Sequence, residues 1–131
     1  MPRLIGYERA AKFIAERSGL PHLRRVEVYV VATDARSRAY ARIWGLSKAL
    51  QEALDLGPLY VIELLKEFWR LQCPEKAKVL AHELAHIPTT TSGALRPHNA
   101  AFWRDYKALL RASEDACPLI KEADRAGTSS L

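Results

Sequence analysis

The order of apolar and polar residues predicts one helix at the start of the chain and three strands after it. Apolar residues recur every three or four positions in residues 7–17, which is the spacing of an amphipathic helix. Short runs that are rich in β-branched residues or alternate in polarity predict strands at 26–32, 38–46 and 59–65. We expect the first two strands to pair as a hairpin, and a short helix capped by Ser47 to follow them.

The third predicted strand, at residues 59–65, allows two interpretations. It is either an edge of the sheet, to which an extended peptide can add as a further strand, or a fully paired inner strand. The apolar run Leu-Tyr-Val-Ile that opens the segment fits both positions.

Two helices are predicted in the second half of the chain. Pro74 favours the first turn of a helix from about 74 to 87, and Pro88 ends it. Pro97 predicts the start of the next helix, whose first turn would carry His98. The core sides of these helices are predicted to be formed by Leu80, Leu84 and Ile87 and by Phe102, Tyr106, Leu109 and Leu110. Residues 113–131 are more polar, and we expect a partly frayed tail there, frayed most at 127–131.

Length and composition indicate one domain that spans residues 1–131. About half of the residues are hydrophobic (49%) and 27% are charged, which is typical of a globular protein and not of a disordered one. No apolar run approaches the ~20 residues of a membrane span. The first residues lack the apolar segment of a signal peptide. We therefore expect a cytoplasmic protein without a membrane partner.

The formal charge of +5 is a weak indication of an anionic partner. It is compatible with an ordinary solvated surface or with a patch that faces nucleic acid. The arginines that would form such a patch are Arg24, Arg25, Arg36, Arg38 and Arg42.

The two cysteines, Cys73 and Cys117, lie far apart in the sequence and form no C-x-x-C pair. Two thiols do not make a disulfide framework, so we expect both to be reduced and structural. They can pair only if the fold brings their positions together.

The residues with the clearest chemistry are His82-Glu83-Leu84-Ala85-His86, an H-E-x-x-H motif on a predicted helix. Two histidines four residues apart project from one helix face and can reach the same cation. Zinc in hydrolases takes three protein ligands and one water, and His98 follows after eleven residues. We predict that His82, His86 and His98 bind one Zn²⁺ and that Glu83 is the general base for the attacking water. The other interpretation is an ordinary solvated helix face.

The third ligand has a rival in Asp105. It follows His98 by seven residues, so both fall on nearly the same helix face. Asp105 could be a ligand in place of His98, an acceptor for a ligand histidine, or a surface residue. Arg96 and Tyr106 are candidates for binding substrate or donating to an oxyanion, although Tyr106 also fits a packing role.

The fourth histidine, His22, lies in a predicted loop, and we expect it at the surface without a role.

Four stretches resemble a family of small metallopeptidases of archaea and phages: residues 37–46, 60–64, 78–88 and 92–99. More distantly, residues 98–103 (His-Asn-Ala-Ala-Phe-Trp) resemble the H-x-x-x-F-W element of SprT-like proteases and other minimal gluzincins. The resemblance implies that His98 is the third ligand. It also implies a small zincin-like α+β fold with an N-terminal helix, a mixed sheet of about three strands, the H-E-x-x-H helix and a ligand-bearing helix.

The predicted function is zinc-dependent hydrolysis of peptide bonds in a protein or peptide substrate. SprT-like proteases act on DNA-bound proteins, but this chain has no Cys-rich zinc-binding extension. The alternative is a non-catalytic module in which the metal is structural and the surface binds nucleic acid or a protein partner.

Overall fold

Five helices and one three-stranded sheet make up the described part of the chain, which is residues 3–129 of a computed structural model, with side chains through residue 126. No helix in that part is long and apolar enough to cross a membrane. In chain order the helices and strands are α1 (Ile5–Arg17), β1 (Glu27–Ala32), β2 (Ala41–Gly45), α2 (Lys48–Leu54), β3 (Leu59–Leu64), α3 (Cys73–Ala85), α4 (Ala100–Ser113) and α5 (Cys117–Ser129). Two 3₁₀ turns lie at Pro21–Arg25 and Lys66–Arg70.

The sheet has the order β1-β3-β2, so β3 is its central strand. It pairs in parallel with β1 and antiparallel with β2. The predicted hairpin between the first two strands is therefore wrong. Of the two interpretations of 59–65, the inner strand is confirmed and the edge is wrong. The physical reason is burial: β3 has the most apolar strand sequence, and its Tyr60, Ile62 and Leu64 are fully buried.

Helices α1 and α3 pack on the sheet, and α4 and α5 pack on these two helices. α1 contacts β1, α3, α4 and α5, and α3 contacts β2 and α4. The largest fully buried side chains are Ile14, Tyr60, Ile62, Leu64, Leu65, Phe68, Leu80, Leu84, Ile87, Phe102, Leu109 and Ile120. The predicted core side of α3 is thus confirmed. In α4, Phe102 and Leu109 are buried as predicted, whereas Tyr106 and Leu110 are only half-buried.

Two helix starts are set by side-chain caps. Ser47 Oγ accepts from the Leu50 N–H, which confirms the predicted cap of α2. Asn99 Oδ1 accepts from the Phe102 N–H, so α4 begins at Ala100. His98 therefore precedes α4 instead of lying in its first turn, because the asparagine cap and not Pro97 sets the start of the helix.

Helix α5 forms where the sequence analysis predicts a polar tail. Ala116, Ile120 and Ala123 are buried, and the helix packs against α1. The two helices approach closely: a Cβ added to Gly6 would lie 2.6 Å from the Ala123 Cβ. The sequence predicts this helix only weakly, because small alanines form most of its contact with α1. The backbone is helical to Ser129, and the last two residues of the predicted frayed end lie outside the described residues.

Cys73 and Cys117 are joined as a disulfide, with their Cα atoms 5.6 Å apart. The expectation of two reduced thiols is therefore wrong. They meet because α3 and α5 pack together and each helix begins at its cysteine. The disulfide closes a loop with a sequence separation of 44 residues, which contains the whole H-E-x-x-H motif and His98.

We predict that replacing both cysteines by serine lowers the free energy of unfolding by about 2–4 kcal/mol, because the open loop gains entropy in the unfolded chain. The measurement is urea unfolding of the oxidised protein, the reduced protein and the double Cys73→Ser/Cys117→Ser variant. Reductant should lower the midpoint of the wild type and leave that of the double variant unchanged. Equal midpoints for the oxidised and reduced wild type would contradict the prediction.

Candidate metal centre

The H-E-x-x-H motif lies at the end of α3, and packing fixes the position of this end. Leu80 and Leu84 are fully buried and hold the helix against its neighbours. His82 and Glu83 lie in the last turn, and His86 caps the helix with its backbone N–H bonded to the Glu83 carbonyl. Because the helix is packed along its apolar side, the two histidines at i and i+4 have little freedom to separate.

The structure brings His82, His86 and His98 together. Their ring centroids are 5.1 Å (His82–His86), 5.1 Å (His82–His98) and 4.8 Å (His86–His98) apart. One ring nitrogen from each lies within 4.8 Å of the other two. In residues 3–129, the group of side chains that could hold a metal ion consists of these three histidines, and Asp105 is not part of it.

Phe102 forms the floor of this cluster. Its ring lies 5.2 Å from that of His82, 4.7 Å from that of His86 and 4.7 Å from that of His98. Phe102 is fully buried and comes from the first turn of α4. The sequence predicted it as core, and its contact with all three histidines could not be read from spacing alone.

The available nitrogens fit a metal ion. Because their separations do not exceed 4.8 Å, a point within about 2.8 Å of all three exists, and shifts of under about 1 Å give zinc–nitrogen bonds of ordinary length. His86 Nδ1 donates to the Arg96 carbonyl at 2.7 Å, and His82 Nδ1 donates to Glu83 Oε2 at 3.1 Å. The Nε2 atoms of both rings are therefore left with free lone pairs.

Burial also favours the ligand form of His86. Removal from water lowers the pKa of its imidazole below the ordinary value, despite the hydrogen bond to the Arg96 carbonyl. The neutral ring is the form that binds metals. Three imidazoles suit zinc and other late first-row metals.

Glu83 lies at the wall of a cleft beside the histidines. Its side chain is buried, with only 7% of the residue exposed. The cleft has a volume of about 380 Å³. It is lined by Ala39, Tyr40, Ala41, Lys78, Val79, His82, Glu83 and Tyr106. A carboxylate in this position can exchange a proton with a molecule in the cleft.

Tyr106 lies next to the cluster. Its ring is 5.8 Å from that of His82 and 5.9 Å from that of Phe102. Burial raises the pKa of its phenol above the ordinary value, so the hydroxyl stays protonated near neutral pH. It is a donor at the wall of the cleft, and a role in substrate binding stays a prediction.

Asp105 and Arg96 differ from the expectations for them. Asp105 is buried, with 4% of the residue exposed, so it is not a surface residue. Its Oδ2 accepts from Arg96 Nη2 at 2.7 Å, and its Oδ1 accepts from Arg104 Nε at 3.4 Å. Arg96 is itself buried and also donates from Nε to the Ala85 carbonyl at 2.8 Å. The Arg96 guanidinium thus points into the protein and not to a substrate.

The side chains of Tyr60 and Gln51 hold the loop between α3 and α4 by hydrogen bonds to its backbone. The Tyr60 hydroxyl accepts from the Gly93 N–H and donates to the Ala94 carbonyl, both at 2.9 Å. Gln51 Nε2 donates to the Ser92 carbonyl at 2.9 Å. Gly93 has a φ of +103°, which favours glycine. These contacts fix the chain directly before the segment that carries His98.

His22 is buried, so its predicted surface position is wrong. Its Nε2 donates to the Ile87 carbonyl at 3.1 Å, and burial lowers the pKa of its ring. This bond fixes Ile87, which follows His86 and lies just outside the histidine cluster. The apolar neighbours Leu20 and Leu23 were the only sequence signal of this burial.

The five clustered arginines of the sequence do not form one patch. Arg24 and Arg25 belong to the first 3₁₀ turn, where Arg25 donates to the Thr89 carbonyl at 2.7 Å. Arg42 is paired with Glu63 at 3.2 Å on β3. Arg36 and Arg38 line a separate cavity together with the acidic Asp34 and Glu67. A nucleic-acid interface stays a prediction.

In a comparison with models of protein families, residues 4–124 match the family described as "Putative phage metallopeptidase". The chain belongs to this family. The match covers nearly the whole sequence, including the three clustered histidines, and it confirms the resemblance to small phage metallopeptidases. Comparisons with curated proteins and with solved structures give no match. The family description implies a hydrolase, and the histidine cluster is a candidate metal site.

We predict that one Zn²⁺ binds per chain and that replacing any clustered histidine by alanine lowers the affinity by more than about 100-fold, since two imidazoles hold zinc poorly. The measurement is a chelator-competition titration of the apo protein with Zn²⁺. His22→Gln is the matched control, because it keeps a side-chain N–H for the Ile87 carbonyl and lies outside the cluster. Wild-type affinity in His98→Ala would contradict the assignment of the third ligand.

Proposed function

We propose that the chain is a zinc-dependent peptidase that hydrolyses peptide bonds in a protein or peptide substrate. The observation that carries the proposal is the convergence of His82, His86 and His98 beside Glu83 at a cleft, in a member of a metallopeptidase family. Bound zinc lowers the pKa of a coordinated water to near neutrality and polarises a carbonyl oxygen.

The donor set favours an open, catalytic site over a closed, structural one. Structural zinc sites usually have four protein ligands, often cysteines, whereas catalytic sites have three. In residues 3–129 the cluster consists of three histidines, and Cys73 and Cys117 are joined to each other instead. The non-catalytic alternative requires a fourth ligand, which this cluster lacks.

Glu83 is the proposed proton carrier. Its carboxylate lies at the cleft wall next to His82, close enough to take a proton from the attacking water and to return it to the leaving amine. Burial limits the number of competing waters around the carboxylate. Lys78 and Tyr106 are two further polar side chains of the cleft wall, and we propose that they contact the substrate.

The free edge of β2 is the proposed binding site for an extended substrate. The Leu65 N–H donates to the Tyr40 carbonyl and the Leu46 N–H to the Leu59 carbonyl. In an antiparallel ladder the alternate residues then direct their N–H and C=O groups away from β3, and these include Ala41 and Ile43. Ala41 also lines the cleft, so a peptide added to this edge would pass the histidine cluster.

The same arrangement supports a zincin-like fold. The H-E-x-x-H helix packs under a mixed sheet whose edge strand borders the cleft, and the third histidine comes from the segment after that helix. We propose this classification from the order of the elements.

We predict that Glu83→Gln lowers the rate of peptide hydrolysis by more than about 100-fold, because glutamine cannot accept the proton. Zinc affinity should stay within a few-fold of the wild type. The measurement is cleavage of a quenched-fluorescent peptide library, with zinc affinity determined on the same samples.

Glu75→Gln is the control, since this exposed glutamate lies on the same helix and does not line the cleft. Activity should disappear with chelator and return with Zn²⁺. Full activity in Glu83→Gln would overturn the role of Glu83, and an inactive wild type with zinc bound would count against a peptidase.

A further inference from the structure

We propose that the buried ion pair between Arg96 and Asp105 positions the metal-binding histidines. The pair joins the end of α3 to α4, on either side of His98, and it contacts no reacting group itself. The inference rests on the proposed metal site and adds to it two positioning residues, which act through His86 and His98.

Arg96 binds the end of α3 through both its backbone and its side chain. Its N–H donates to the His86 carbonyl at 2.9 Å, and its Nε donates to the Ala85 carbonyl at 2.8 Å. Carbonyls in the last turn of a helix have no partner within the helix, so these two bonds complete it. Arg96 thus fixes the backbone of His86.

Arg96 also sets the orientation of the His86 ring. Its carbonyl oxygen can only accept, so His86 Nδ1 must carry the hydrogen of their 2.7 Å bond. Nε2 is then the unprotonated nitrogen, with a lone pair for a metal ion. Bonds of this kind fix the tautomer and the direction of metal-binding histidines.

Asp105 holds Arg96 in this position. Its Oδ2 accepts from Arg96 Nη2 at 2.7 Å, and both side chains are more than nine-tenths buried. Asp105 lies in α4 and Arg96 in the loop before it, so the pair ties that loop to the helix. His98 lies between them, directly after Pro97 and directly before the cap residue Asn99.

The burial of two charges is not explained by stability alone. A buried ion pair often contributes little net stability compared with apolar residues of the same volume, because both ions lose their hydration. The Arg96 guanidinium offsets this loss with short bonds to Asp105 and to the carbonyl of Ala85, which directly precedes His86. A positioning role accounts for their placement.

The test is the zinc affinity of Arg96→Lys, Asp105→Asn and the double variant, measured by chelator competition on the apo proteins. We expect each single variant to bind zinc about 10- to 100-fold more weakly, as is typical for residues behind a metal ligand. The double variant should be no worse than the weaker single variant, because the two residues act as one unit. The Co²⁺ forms should show altered visible absorption.

Two controls separate positioning from a loss of stability. Arg104→Gln removes the exposed partner of the same carboxylate, and it should bind zinc like the wild type. Lys76→Met breaks another largely buried contact of α3, the 3.0 Å ion pair with Asp124, and should lower the melting temperature without changing zinc affinity. Wild-type zinc affinity in folded Arg96→Lys and Asp105→Asn would overturn the proposal.

A measurement on the wild type covers the case in which the variants do not fold. Nitrogen-15 NMR of the apo protein should show the His86 ring protonated on Nδ1, and the opposite tautomer would overturn the proposal. A failure of the proposed peptidase function can be told apart from a failure of this proposal. If the wild type binds zinc but does not cleave peptides, the zinc affinities of the variants can still be compared with that of the wild type. If the wild type is active and the variants bind zinc as it does, only the positioning role is refuted.

Discussion

The packing of α3 against α4 is the contact on which the candidate metal centre depends. Two of the three histidines come from α3, and the third lies just before α4, so no single helix can assemble the cluster. Phe102 fills the space between the helices and touches all three imidazoles. Its burial supplies a hydrophobic contribution of about 2–3 kcal/mol by general estimates, and it sets the distance between the rings.

The start of α3 is anchored as firmly as its end. The disulfide joins Cys73 to Cys117 at the first turn. One turn later, Lys76 pairs with Asp124 of α5, which also accepts from the Tyr7 hydroxyl of α1. The H-E-x-x-H helix is therefore attached to both terminal helices. These contacts stabilise the start of the helix, whereas the two ligands and Glu83 lie at its other end.

The chemistry of the site follows from which polar groups are buried and which stay open. The Arg96–Asp105 pair is buried behind His86, whereas Glu83 borders the cleft and His98 is exposed. The donors and acceptors at the back have fixed partners, and the cleft side of the cluster is open to a substrate. This division is compatible with the proposed catalytic metal site, in which one coordination position stays open.

The sequence by itself determined the features that depend on neighbours along the chain. The spacing of His82 and His86, the cap at Ser47 and the core side of α3 follow from helix periodicity and local hydrogen bonds. The three strands were also found in the right places. The H-E-x-x-H motif predicted the histidine cluster because both histidines of the motif lie on one helix face.

Tertiary structure alone decided the features that depend on contacts between distant segments. The central place of β3, the helix α5, the disulfide and the burial of His22 all require knowledge of what packs against each segment. Asp105 shows the reason most clearly. An aspartate on a helix looks solvent-exposed by its polarity, and only the arrival of Arg96 from a separate loop provides the partner that lets its charge be buried.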